Sequence, residues 1–273
     1  MEYWSKEGFV HLFHRDDSWR QWLRFCSLWA HSGSLLDRYV SDVWFEFDSH
    51  QLDKDLPAAC FFFSPRNLHN RNTGDNGKTD WLFKEALAIT FNEYLSDKLK
   101  VNIKKCVDAL PGNGIVFQIG VLAARKVSHL RVCTSMPVDL YVGYLEKVGW
   151  KGSYNFLNHM LRSLRDHVDA IFIDLDVGED ILPAIGLECC YRGGVNIKTR
   201  VEKFLDFLRE QHLCINNKQE DILSWFQYPG EHLDRPSSKH IHQKKVLSHI
   251  KIVIDADNSM RAKAYLALSK GDI

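Results

Sequence analysis

Hydrophobic and polar positions follow two different periods along the chain, and the two periods alternate in a fixed order. A segment with apolar residues at helical spacing precedes two short runs in which apolar and polar residues alternate, and this arrangement occurs four times. The predicted helices are about Ser18–Tyr39, Thr79–Val107, Pro137–Val148, Leu157–Leu164, Lys198–Gln211 and Glu220–Phe226. The predicted strands are Val43–Asp48, Ala58–Ser64, Ile115–Ala124, His129–Ser135, Ala170–Val177, Ala184–Tyr191, Ser248–Asp255 and Ala262–Ser269.

The connections inside each strand pair are short, which predicts hairpins and an antiparallel sheet. The sequence therefore predicts an α/β protein of repeated helix plus antiparallel strand-pair units. We expect a single domain over residues 1–273, with a polar loop over residues 230–247. Gly112 and Gly114 precede a strand and lack the GxGxxG spacing, so a dinucleotide-binding fold is disfavoured.

Successive side chains of a strand point to opposite faces, so each predicted strand divides into two sets of residues. One set is apolar throughout, as in Ile115, Phe117 and Ile119, and we expect helices to cover that face. The other face carries polar residues of both signs, namely Glu46, Gln118, Arg131, Asp174, Glu188, Lys251, Lys263 and Tyr265. Alternation also places Val116 and His249 on this face.

Two sheet forms explain this division of the strand faces. An open antiparallel sheet leaves its second face in water. A β-barrel, or a strongly curved sheet with helices outside, instead encloses the polar residues in a lumen. Eight strands suffice for closure, and charged groups of both signs in a lumen would form a ligand site, because a buried charge needs a partner.

The helix plus strand-pair repeat with a polar interior resembles the aromatic and peptide prenyltransferases of the ABBA barrel type. The resemblance covers about residues 18–269, and Lys263-Ala264-Tyr265 matches a Lys-x-Tyr step that this family uses. It implies that Lys263, Tyr265, Arg131 and Lys251 hold the diphosphate of an allylic donor. A carboxylate such as Glu46 would then accept the proton that the aromatic substrate loses.

The resemblance therefore implies a transferase that moves a prenyl group to an aromatic or peptide substrate. Aromatic walls such as Trp44 and Phe62 would shield an allylic cation. Gln118, Asp174 and Glu188 complete the predicted substrate-binding set. The alternative function is a non-catalytic protein of a biosynthetic pathway that binds a peptide or a small metabolite.

A cofactor is not required by this interpretation, although Mg²⁺ could bridge neighbouring carboxylates and a diphosphate. Asp174 and Asp176 are two residues apart on one strand and so share a face, and acidic residues follow at Glu179 and Asp180. The His240-Ile241-His242 pair has no third ligand fixed near it, so we expect a loop rather than a zinc site.

Composition limits the binding partners and the cellular compartment that we expect for the protein. Basic and acidic residues balance at 35 each, so no overall field attracts nucleic acid or an anionic membrane, and the one basic stretch, Lys239–Lys245, is expected to be a solvated loop. Seven cysteines without CxxC spacing indicate a reducing compartment. With no signal-peptide pattern and no apolar run of about 18 residues, we expect a cytoplasmic protein.

Overall fold

The computed structural model of the protein describes residues 17–48, 58–66, 68, 79–91, 95–125, 127–192, 196–225 and 243–270. Helices within these residues are α1 Asp17–Ala30, α2 Leu35–Tyr39, α3 Leu87–Thr90, α4 Asp97–Asp108, α5 Tyr141–Val148, α6 Tyr154–Arg165, α7 Ile197–Glu210 and α8 Asn216–Trp225. A π-helical turn, Leu82–Ala86, leads into α3, and short 3₁₀ turns occupy Ala123–Arg125 and Val138–Leu140.

Eight strands form one sheet in which neighbours in sequence are neighbours in space. They are β1 Val40–Glu46, β2 Cys60–Pro65, β3 Ile115–Val121, β4 Leu130–Ser135, β5 Ala170–Val177, β6 Ile181–Cys190, β7 Gln243–Ile254 and β8 Met260–Lys270. The strand order runs from β1 to β8, so these two are the edge strands. The predicted fold class, an α/β protein of helix plus antiparallel strand-pair units, is confirmed.

The chain divides into two compact units. The first comprises residues 1–151 and 174–182, and the second comprises residues 152–173 and 183–273. Strands β1 to β4 belong to the first unit, and β7 and β8 belong to the second.

In the first unit, helix α1 covers one face of β1 and β2 through aromatic packing. Trp19 stacks on Phe45 with ring centroids 5.3 Å apart, and Trp22 stacks on Phe61 at 5.9 Å. Phe25 meets the edge of Phe61 at 4.9 Å. Paired aromatic rings add to the free energy of burying their area, so this cluster anchors α1 to the sheet. The expected helix-covered apolar face is thus present in this unit.

The first predicted helix, Ser18–Tyr39, is two helices in the structure. Gly33 adopts a left-handed conformation with φ +85°, which turns the chain after α1. The Ser34 hydroxyl then accepts a hydrogen bond from the backbone N–H of Asp37 at 2.9 Å and begins α2. Helical periodicity continued across this turn, which is why the sequence predicted one helix.

The second predicted helix, Thr79–Val107, is also interrupted. The Thr90 hydroxyl bonds to the backbone carbonyls of Ala86 and Leu87 at the end of α3. Ser96 caps the start of α4 by accepting a hydrogen bond from a backbone N–H three residues later. Side-chain bonds of this kind compete with helix continuation, so a local serine or threonine outweighs the apolar period.

At a bulge in β3, the structure differs from the predicted assignment of side chains to the two faces of the sheet. The β3–β4 register shifts between Val116 and Gln118, which places an extra residue in β3. Because one residue reverses the sides of a strand, Ile115 and Val116 lie on the faces opposite to those predicted, and Ile115 is exposed whereas Val116 is buried. From Gln118 onward the predicted alternation holds.

The second unit buries the apolar helix faces that the sequence predicted. Buried positions include Leu157, Leu161 and Leu164 of α6 and Val201, Phe204, Leu205 and Leu208 of α7. Strand β7 begins at Gln243, five residues before its predicted start, so residues 243–247 of the predicted loop are strand. The rest of that loop up to residue 242, with the His240-Ile241-His242 pair, lies outside the described residues.

Candidate functional site

In the first unit, the predicted site residue Arg131 forms a bidentate ion pair with Asp176. Its Nε and Nη2 donate to the two carboxylate oxygens at 2.9 Å and 3.0 Å. The Arg131 side chain is 12% exposed and that of Asp176 is 18% exposed. Arg131 lies opposite Gly120 on the neighbouring strand, so the pair stands on the polar face of the sheet.

Each member of this ion pair shifts the pKa of the other. Burial lowers the pKa of the Arg131 guanidinium, but the negative charges of Asp176 and Asp174 outweigh burial and raise the pKa above its ordinary value. Burial raises the pKa of Asp176, whereas hydrogen bonds from His129 and Arg131 lower it, and the net pKa lies well below the ordinary value. Both groups are therefore charged at neutral pH.

Asp174, a predicted site residue, is buried on the same face. One of its carboxylate oxygens lies within 4.8 Å of the Cys133 thiol sulfur. Asp176 was predicted only as a candidate magnesium ligand, and its partnership with Arg131 was missed. Since both Asp176 oxygens accept hydrogen bonds from Arg131, a magnesium ion at Asp176 would have to displace the guanidinium.

Glu46, the predicted general base, is held by a residue that sequence reasoning did not select. Arg125 Nη2 contacts Glu46 Oε1, and Arg125 Nε lies 3.4 Å from Asp48 Oδ2. Burial lowers the pKa of Arg125, and the Glu46 charge raises it to a net value above the ordinary one. Arg125 sits in a short turn after β3, where no strand alternation could indicate the direction of its side chain.

The predicted aromatic walls, Trp44 and Phe62, are direct neighbours on β1 and β2. Trp44 is 54% exposed, and its indole N–H donates to Asp42. Phe62 is buried over Gly120, so closely that an added Cβ at Gly120 would clash with the Phe62 ring. Gln118, also on the polar face, is half-buried.

In the second unit, three predicted site residues form one row across β6, β7 and β8. Glu188 lies opposite Lys251, and Lys251 lies opposite Lys263. Lys251 Nζ is 3.9 Å from Glu188 Oε1, and their side chains are 3% and 11% exposed. One carboxylate and two lysines therefore occupy neighbouring positions on three strands.

A second row, next to the first, contains the predicted Tyr265 and an unpredicted histidine. His249 lies opposite Cys190 on one side and Tyr265 on the other. The His249 and Tyr265 rings stack with centroids 4.3 Å apart and an interplanar angle of 17°. His249 Nε2 is 3.5 Å from Glu188 Oε1. Strand alternation had placed His249 on the polar face, and this was the available signal.

The second-unit cluster, defined as Glu188, His249, Lys251, Lys263 and Tyr265, combines three basic side chains and one carboxylate with a hydroxyl group. Such a set can hold an anion by charge-assisted hydrogen bonds. In the first unit the described arginines of the polar face are instead matched by carboxylates.

No family model, curated protein or solved structure matches the chain. Within the described parts of the chain, every helix is too short or too polar to traverse a lipid bilayer. The side chains of the basic stretch Lys239–Lys245 lie outside the described residues.

Proposed function

We propose that the protein is a transferase that binds the diphosphate of an allylic donor at the second-unit cluster and transfers the prenyl group to an aromatic or peptide substrate. The observation that carries this proposal is the direct cross-strand pairing of Lys251 with Lys263. Like charges opposite each other destabilise a sheet, and an anion that both lysines contact would remove this repulsion.

The side chains around Lys251 and Lys263 support the proposal of an anionic ligand. Glu188 Oε1 lies 3.9 Å from Lys251 Nζ, and Lys263 adds a second positive charge to the row. Tyr265 lies on the same face as Lys263, two residues further along β8, so its hydroxyl could donate a hydrogen bond to a phosphate oxygen. A diphosphate offers enough oxygen acceptors to engage both lysines and the hydroxyl.

In this reaction, the lysines stabilise negative charge as it develops on the departing diphosphate. The allylic carbon then bonds to the acceptor, whose proton passes to a base.

Calorimetry with dimethylallyl and geranyl diphosphate tests the proposal. We expect Lys263→Ala to weaken binding at least ~10-fold, the loss typical of one charge-assisted hydrogen bond. The matched control is Lys203→Ala, which removes an exposed lysine of α7 in the same unit and should leave affinity unchanged. Absence of binding to the wild-type protein, or equal effects of the two variants, would reject the diphosphate site.

The second candidate function is a non-catalytic protein that binds a peptide or small metabolite. It is favoured by the first unit, where Arg131 and Arg125 are already matched by Asp176 and Glu46 and so need no anionic ligand. Mass spectrometry separates the two candidates. Prenylation of an indole or tyrosine peptide that is lost in Lys263→Ala supports the transferase; binding of the peptide without any product supports the binding protein.

A further inference from the structure

We propose that His249 makes anion binding at the second-unit cluster depend on pH, so that the site binds its ligand more tightly when the imidazole is protonated. This inference rests on the proposed anion site and adds a residue to it. Histidine is the side chain whose unperturbed charge changes between about pH 5 and 8.

Contacts with three residues fix the position of the His249 ring. Its ring stacks on Tyr265 of β8 at 4.3 Å, and its Nε2 lies 3.5 Å from Glu188 Oε1 of β6. Its Nδ1 lies 3.1 Å from the hydroxyl of Ser248 on its own strand. The imidazole is therefore held over the same carboxylate oxygen that Lys251 approaches.

The charged groups around the imidazole determine the sign of the effect. Glu188 from β6 favours the protonated ring, whereas Lys251 from β7 and Lys263 from β8 disfavour it. Helix α8 also packs on β7, and its charged residues, Lys218, Glu220 and Asp221, are exposed to solvent.

Protonation of His249 adds one positive charge to the cluster. An anion contributes a further negative charge, which favours the protonated ring. Anion binding and proton binding therefore reinforce each other, and affinity rises as pH falls. A charge-assisted hydrogen bond made only by the protonated ring corresponds to an affinity change of about tenfold or more.

Sulfate is the probe, because it keeps two negative charges over the whole pH range of the experiment. Its dissociation constant is obtained from the rise of the melting temperature with sulfate concentration at about pH 5.5 and about pH 8.5, at constant ionic strength. We expect the wild-type protein to bind sulfate about tenfold more tightly at the lower pH. His249→Gln should bind weakly at both pH values, and His249→Arg, which is charged throughout, should bind tightly at both.

His167→Gln is the matched control, because His167 also stacks on an aromatic ring, that of Phe207, at 4.5 Å in the same unit. This variant should retain the wild-type pH dependence. If sulfate binds and Lys263→Ala weakens it, but His249→Gln keeps the full pH dependence, the role of His249 is rejected and the anion site stands. If sulfate does not bind the wild-type protein at either pH, both the anion site and this inference are rejected.

Discussion

Replacing Asp176 with asparagine tests whether the polar face of the first unit is a buried, charge-matched surface. The substitution keeps the size of the side chain and removes the charge that faces Arg131 across two hydrogen bonds of 2.9 Å and 3.0 Å. Removing one partner of a buried ion pair costs about 3–5 kcal/mol, because the other charge stays buried. Asp174 still offers Arg131 a negative charge, so we expect about 3 kcal/mol.

Urea denaturation followed by circular dichroism measures this loss. With a denaturant slope of about 3 kcal/mol per molar, the unfolding midpoint should fall by about 1 M. The control is Asp108→Asn, which alters an exposed pair with Lys104 and should cost less than about 0.5 kcal/mol.

The double variant Arg131→Met with Asp176→Leu separates charge from packing. Replacing both members of a buried pair by apolar residues is often neutral or stabilising, so the double variant should be more stable than Asp176→Asn. If Asp176→Asn costs no more than Asp108→Asn, or if the double variant is the least stable of the three, the reasoning about the buried pair is refuted.

Three further predictions concern the first unit. Gly120→Ala should cost about 1–3 kcal/mol, because the new Cβ would clash with the Phe62 ring. Adding Phe62→Leu should recover part of the melting temperature, and an unchanged melting temperature in the single variant would contradict the contact. Because the folded pKa of Asp176 lies below its unfolded value of about 3.9, its contribution to stability is complete above that pH and is lost as pH falls further; acid titration of Asp176→Asn should lack this loss. Burial raises the pKa of the Cys106 thiol to about 12, so a thiol reagent at about pH 8 should label Cys106 only after unfolding, and labelling of the native protein would contradict its burial.

Alternation along the strands predicted much of the candidate site. Glu188, Lys251 and Lys263 were assigned to one face from period two alone, and the registers place them in one row. The prediction worked because a strand interior without a bulge keeps strict alternation. It failed at Ile115 and Val116, where an extra residue reverses the faces and leaves no mark in the hydrophobic pattern.

Partners across the sheet could not be predicted from sequence. Arg125 reaches Glu46 from a turn, and Asp176 reaches Arg131 from a strand 45 residues away in sequence. Both pairings depend on which strands become neighbours and on the direction that a long side chain takes, and neither is encoded locally. His249 was placed on the correct face, but its contacts with Glu188 and Tyr265 required the registers on both sides of β7.

The sequence by itself determined the order of helices and strands, the antiparallel pairing and the existence of a polar face, because these follow from local periodicity and from short connections. Tertiary structure decided where helices break, where β3 bulges and which acid neutralises which base. These features depend on interactions between residues far apart in the chain, whose energies no local pattern records.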